Sequence, residues 1–422
     1  MGTASLILTR TLTVVASNQM LRQFGFALLF IGALSIDIRS GDSLHYVDES
    51  EYQQSARTLL HDGSLTDANG GSLVGRPPGY PAVIAVAYAI AERPLAGKIE
   101  NAFLLLAAAT VLAAIARRIQ PRSFALVPYV IMAYPIILYA SSLLYPQILG
   151  CLLLSLSVLL FSTEALSSRQ AIAAGLIWGV LCLAIPSFIL LAPLVAAFVA
   201  FHHCQIRWTH IRLSLISMFA TLLVILPWTI RNYVDFHKVI LISTNGGKNL
   251  LIGNSSVTTP NSGRTVDVIA QCKRIHPGMN DYDVDTAMGK CAMDWILQNK
   301  GSAALLYVGK VVNYFNYRNE IATPNEASKF TDWVEFWTYY PILFIAILRL
   351  SRFRQDPLQR IEKIIYILYF ANALTSAIFF TRLRFRIPFD FLLIAVVAAF
   401  LYSCWTKYAA RAILPPNTTS LT

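Results

Sequence analysis

The chain has 422 residues, of which 56% are hydrophobic and only 14% charged, with a formal net charge of +11. Soluble domains carry roughly 25% charged residues, so the composition excludes a soluble enzyme and indicates a polytopic helical membrane protein. The basic residues collect in short stretches between apolar runs, as cytoplasmic loops do, which removes nucleic acid as a partner.

Arg10 and Arg22 precede the first span, Phe24 to Ile36, and place the N-terminus in the cytoplasm. No small-residue cleavage site follows that run, so it is read as a retained helix. Residues 38–98 then form a first outer-face loop. Within it, Tyr80 to Ala91 is too short to cross and is expected to be a juxtamembrane helix. Further spans are expected over Ile99–Ala116, Ser123–Ser141 and Ile148–Phe161. The run Ala171–Phe201 is too long for one span and carries Pro186, so it is divided in two. Leu213 to Ile230 leads to a large outer-face loop, residues 231–334, in which Ala303–Asn316 is amphipathic and lies near the interface. Glu335–Leu348, Ile364–Phe380 and Ile387–Cys404 complete a bundle of roughly ten spans, nearly free of ionisable groups. The expectation is one all-α domain over 1–422 with juxtamembrane helices and a disordered tail at 414–422.

Cys151, Cys182, Cys204 and Cys404 lie in or beside apolar runs and read as inert packing residues. Cys272 and Cys291 share the polar loop and are either a disulfide or two free thiols. His45, His61, His237 and His276 are scattered, with no HxxH or paired CxxC. No metal ligands are therefore assigned; a divalent metal is allowed without any ligand motif to support it. Nucleophile-elbow, Walker and dinucleotide motifs are absent.

Four stretches carry polar chemistry between the apolar runs. Asp48 and Glu49 could serve a hydroxyl acceptor as general base, although a solvated loop acid or a helix N-cap, which suits Asp48 well, is the plainer reading, and Asp42 competes for the role. Arg76 precedes two prolines that fix its backbone, as a phosphate clamp requires and as a simple turn also explains. Arg382, Arg384 and Arg386 alternate, which puts all three on one side if the segment is extended. They would bind a lipid phosphate or anionic headgroups. Ser243 to Asn254 is dense in glycine and amides, suiting a backbone cradle for a sugar or phosphate.

Together these stretches resemble the GT-C superfamily of membrane glycosyltransferases, such as the lipid A aminoarabinose transferases and protein O-mannosyltransferase-like enzymes. The resemblance rests on Asp48-Glu49-x-x-Tyr52, Arg76-Pro-Pro-Gly-Tyr-Pro81, Asn245-Gly-Gly-x-Asn-Leu-x-Ile-Gly-Asn254 and Arg384-Phe-Arg-Ile-Pro388, in that order. It implies a GT-C-like bundle that transfers a sugar from a polyprenyl-phosphate donor to an envelope polysaccharide, lipid or protein. Transfer would occur on the periplasmic face of the inner membrane and would invert the anomeric centre. Asp48, with Glu49, maps to the catalytic acids, and Arg76, Arg382, Arg384 and Arg386 to the donor phosphate and lipid. Tyr52, Gln147, Asn245, Lys248, Asn249 and Asn254 map to substrate binding. Gln147, Ile185, Gly75 and Glu51 depart from the pattern, standing where relatives carry an acid, an arginine, an acid and an arginine. These departures argue against aminoarabinose as the sugar. Two other readings stay open: a flippase for a lipid-linked sugar, and a polysaccharide polymerase or ligase. The second is kept by Lys248, Arg264, Lys273 and Arg274 in the large loop.

Overall fold

The computed structural model describes residues 19–66, 74–163, 166–194, 197, 208–263, 266–318 and 328–413. The expected disordered tail and Arg264 lie outside them. Fifteen α-helices follow one another in the described residues. They are α1 (Gln19–Ser40), α2 (Val47–Asp62), α3 (Gly79–Tyr88), α4 (Pro94–Ile119), α5 (Val127–Met132), α6 (Ile136–Ser141), α7 (Gln147–Phe161) and α8 (Ser168–Ala184). Then come α9 (Trp208–Phe236), α10 (Gly246–Gly253), α11 (Asp281–Gln298), α12 (Lys300–Tyr314), α13 (Lys329–Ser351), α14 (Arg360–Ile378) and α15 (Leu383–Ile413).

Six of these (α1, α4, α9, α13, α14 and α15) are long and apolar enough to cross a membrane. The protein is a multi-pass membrane protein. The expected span Ser123–Ser141 is instead a 3-10 turn, Ser123–Leu126, followed by α5 and α6. Pro128 opens α5 and Pro135 separates it from α6, each lacking the N–H that a continuous helix needs. Pro186 divides the long apolar run as expected: α8 ends at Ala184 and a 3-10 turn runs from Pro186 to Leu191. Most of the second half of that run lies outside the described residues.

At the centre stands α15, buried on every side from Arg386 to Phe400. A helix that is apolar all round belongs inside a bundle. It packs on α4, α7, α13 and α14. Nearby, α8 and α9 approach closely because Gly175 and Gly179 offer no side chain against Ser217, Ala220 and Val224. The Thr221 hydroxyl donates to Gly175 O at 3.0 Å across that contact.

The spans are not as free of ionisable groups as the sequence suggested. Asp37 on α1 and Lys98 on α4 are fully buried, as are Arg386 and Asp390 on α15. Lys98 donates to Ser40 Oγ (2.7 Å) and Ser43 O (2.6 Å), fastening the end of α1 to α4.

In the outer region α10 packs on α11 around Leu251, Ala287, Met288 and Ala292. Cys272 and Cys291 form a disulfide there, with Cα atoms 5.6 Å apart, which resolves the open choice in favour of the bond. Replacing both by serine is expected to weaken this small unit by about 3 kcal/mol, the usual contribution of a bridge closing a loop of this size. Hydrogen exchange would read the effect as faster exchange in α10 and α11 with α4 and α15 unchanged. Equal protection in all four helices would refute it.

Candidate active site

Three separate segments converge on Asp48. The first is the start of α2, where a backbone turn must be stabilised at the mouth of the bundle. Glu49 does this: its Oε2 accepts from His45 N (2.7 Å) and Tyr46 N (2.9 Å). This is the reach-back half of a capping box. Its Oε1 accepts from Leu144 N at 2.9 Å, pinning α2 to the segment before α7. Gly63, at φ 64°, supplies the left-handed residue that ends the helix. Glu49 is fully buried and its carboxylate is consumed by backbone N–H groups. Asp48 is no N-cap; it lies inside the first turn, because Tyr46 occupies the cap position.

The second segment is the Arg76 loop. Arg76 Nη2 donates to Asp48 Oδ1 at 2.7 Å, and the same guanidinium also contacts Glu51. The guanidinium lies over the Tyr52 ring at 5.3 Å. Tyr52 in turn meets Tyr80 edge-on, so the arginine rests on a packed aromatic base. Glu51 thus stands as an anionic partner to Arg76 where relatives were expected to carry a further cation.

The third is the start of α15. Arg384 Nη1 donates to Asp48 Oδ2 at 2.7 Å. Tyr145, just before α7, donates its hydroxyl to the same oxygen at 3.1 Å and lies 5.3 Å under the Arg384 guanidinium. The segment is helical from Leu383, not extended, so residues two apart point in nearly opposite directions. Arg386 therefore turns into the bundle, bonds Asp390 Oδ2 at 2.8 Å and is 1% exposed. Its guanidinium is engaged within the bundle rather than beside Asp48. Arg382 is half-buried beside Gly263, over the Phe380 ring at 6.0 Å.

Burial alone would raise the Asp48 pKa, but the charges of Arg384 and Arg76 and their hydrogen bonds outweigh it and hold the carboxyl well below the usual range. Burial pushes the Tyr145 phenol up, so it stays a donor. The result is a carboxylate between two guanidiniums at the end of a helical bundle. Asp42 lies apart from it, paired with Arg93 at 2.6 Å and accepting from Leu95 N at the start of α4.

The glycine-rich stretch behaves differently from the cradle expected. It forms α10, whose first N–H groups, of Gly247 and Lys248, are already capped by Asp285 at 3.0 and 2.8 Å. Gly247 is required because a Cβ there would overlap the Asp285 carbonyl. Lys248 is exposed and Asn249 half-buried. Asn245 donates its side-chain amide to Gly75 O, next to Arg76. Asn254 is buried and donates to Leu250 O and Ile378 O at 2.9 Å each. Gln147 is 6% exposed in the first turn of α7, two residues after Tyr145. Tyr145 is the site residue the sequence reading missed; its position beside Pro146-Gln147 was the available signal. Among the described residues no group of three or more His, Cys, Asp or Glu is placed to hold a metal ion.

No family model and no curated protein matches the chain. Among solved structures, it aligns with an oligosaccharyltransferase from Archaeoglobus fulgidus, tethered with an acceptor peptide containing the NVT sequon. The TM-score is 0.56 at 14% identity, over 96% of this chain and 52% of that one. The chain has a GT-C-type fold. It spans about half the length of that oligosaccharyltransferase. It also matches ArnT from Cupriavidus metallidurans bound to undecaprenyl phosphate, with a TM-score of 0.43 at 16% identity over 93% of this chain and 81% of that one. The apo form of the same protein gives 0.40 at 15% identity, over 94% and 81%.

Proposed function

We propose that the chain is a membrane glycosyltransferase that moves a sugar from a polyprenyl-phosphate donor to an acceptor in the cell envelope, on the outer face of the cytoplasmic membrane. The observation that carries this reading is the placement of Asp48 between Arg76 and Arg384. Breaking a sugar–phosphate bond leaves negative charge on the phosphate and positive charge on the sugar. Guanidiniums held in place stabilise the first, and a carboxylate beside them takes the proton of an incoming hydroxyl. The acceptor oxygen bonds to the anomeric carbon as the phosphate oxygen leaves with its electron pair, on the opposite face, so the anomeric centre inverts. The acceptor proton ends on Asp48.

The GT-C-type fold, found also in an oligosaccharyltransferase, supports this class of reaction. The disulfide Cys272–Cys291 favours an oxidising, outer-face location for the loop that carries it. A flippase is less well supported. Its mid-membrane charges would have to stay available to cargo, whereas Asp390 also accepts from Tyr134 (2.8 Å) and Tyr369 (2.9 Å).

The test is sugar transfer to envelope extracts from a panel of synthetic polyprenyl-phosphate sugars, with Arg384→Gln alongside wild type. Transfer from one donor, falling about 100-fold or more in the variant, is expected for loss of a transition-state charge contact. Failure of every donor, with polyprenyl phosphate bound equally by wild type and the variant, would overturn the reading.

A further inference from the structure

Beyond the residues that face Asp48, the glycine-rich helix α10 lies between the two arginine-bearing segments, and both its ends are fastened. At the N-terminal end Thr244 N donates to Val74 O at 3.1 Å and Asn245 bonds Gly75 O, so the residues leading into α10 run alongside those leading into Arg76. At the C-terminal end stands Lys310 of α12, which is 1% exposed. Its ammonium donates to Gly253 O (2.8 Å), Phe379 O (2.8 Å) and Asn254 Oδ1 (3.2 Å). An ammonium has three protons, and three acceptors meet them.

Two of those acceptors are backbone carbonyls at helix ends, where no intrahelical donor exists and partial negative charge accumulates. Gly253 closes α10, and Phe379 follows α14. Asn254 satisfies one more carbonyl from each helix, Leu250 O and Ile378 O. Gly253 must be glycine for this, since a Cβ would overlap Phe379 O. One turn further along α12, Asn313 donates to Thr381 Oγ1 at 2.9 Å. The α14–α15 turn is therefore held at two points on one face of α12, and Arg384 lies five residues beyond Phe379.

We infer that α10 is a strut that sets the spacing between Arg76 and Arg384, and that Lys310 is the positioning residue that locks its far end. Lys310 does not touch Asp48; it acts through Arg384. The inference rests on the reading of the two arginines as the donor-phosphate site, and it accounts for Gly247, Gly253, Asn245 and Asn254 without any substrate contact.

Two measurements on the full-length protein in lipid nanodiscs test it. The first is the distance distribution between nitroxides at Ser50 on α2 and Leu374 on α14, both exposed, with Cys204 and Cys404 replaced by serine. Lys310→Met and the milder Asn313→Ala are each expected to broaden or shift it. A distribution unchanged in both variants overturns the strut, whether or not the protein transfers sugar. The second is the affinity for polyprenyl phosphate in a double-mutant cycle. Lys310→Met is expected to weaken binding roughly tenfold or more, with no further loss when it is added to Arg384→Gln. Independent, additive losses would make Lys310 a merely structural residue and overturn its positioning role. If Arg384→Gln binds the lipid phosphate as wild type does while the distances shift, the strut stands and the donor-phosphate reading fails.

Discussion

Asp48→Asn is expected to lower sugar transfer by about 10²–10⁴-fold, the range for removing a general base. The amide keeps the size of the carboxylate and can still accept a hydrogen bond, but it cannot take a proton from the acceptor. It also leaves the guanidiniums of Arg76 and Arg384, both bonded to Asp48 in the present structure, without their shared counter-charge. A lower thermal stability should therefore accompany the loss of rate. Single-turnover transfer by a monodisperse variant separates the two effects. Transfer within tenfold of wild type would remove Asp48 from the chemistry.

The pH profile sharpens this expectation. With no donor bound, Arg384 and Arg76 hold the Asp48 pKa well below the usual carboxylate range, against the effect of burial. A carboxyl depressed on folding contributes stability that is complete above its unfolded value of about 3.9 and is lost only as pH falls through the lower native value. The profile of kcat/KM, which reports the free enzyme, should accordingly show no acid limb from Asp48 between about pH 4 and 7. A donor phosphate that draws the guanidiniums away relieves that depression and makes Asp48 a stronger base when the hydroxyl arrives. An acid limb should then appear in kcat, which reports the bound state. Matching acid limbs in both profiles would contradict a base held down by two arginines.

Much of this site was legible in the sequence because its parts are out of keeping with their surroundings. An Asp-Glu pair, an Arg-Pro-Pro turn and an arginine cluster between apolar runs have little reason to be there unless water or substrate reaches them. What the sequence concealed was the division of labour within each motif. Capping and catalysis draw on the same acidic residues at a helix start, so Asp48 and Glu49 look alike until Glu49 is found bonded to His45 N, Tyr46 N and Leu144 N. Alternating arginines share one side only if their segment is extended. Pro388 instead sits within α15, in its second turn, and helical geometry sends Arg386 inward while Arg384 faces Asp48. The glycines of α10 likewise announced a close approach without naming the partner, which is protein backbone at Asp285 and Phe379. Tyr145 carried no signal of its own, since a tyrosine among 19 in an apolar chain is ordinary.

The second large effect is expected inside the bundle, at the ion pair between Arg386 and Asp390. Arg386 Nε meets Asp390 Oδ2 at 2.8 Å with both side chains 2% exposed. The guanidinium also lies 3.7 Å over the Tyr339 ring of α13 and donates to Tyr314 O and Asn316 O at the end of α12. Asp390 accepts from Tyr134 and from Tyr369 of α14. One pair thus ties α15 to α12, α13 and α14, and a charge stranded there has no water to turn to. Asp390→Asn and Arg386→Met should each destabilise the protein by about 3–5 kcal/mol, because each leaves the other charge buried and unpaired. The double variant should cost no more than either single one, since it strands neither charge. Denaturant titration of the purified protein in mild detergent measures all three. Single losses below about 1 kcal/mol, or losses that simply add, would show that the pair does not lock the bundle. A locked α15 is what the site requires. Arg384 projects from its first turn, and Arg386 also bonds the end of α12, the helix that carries Lys310.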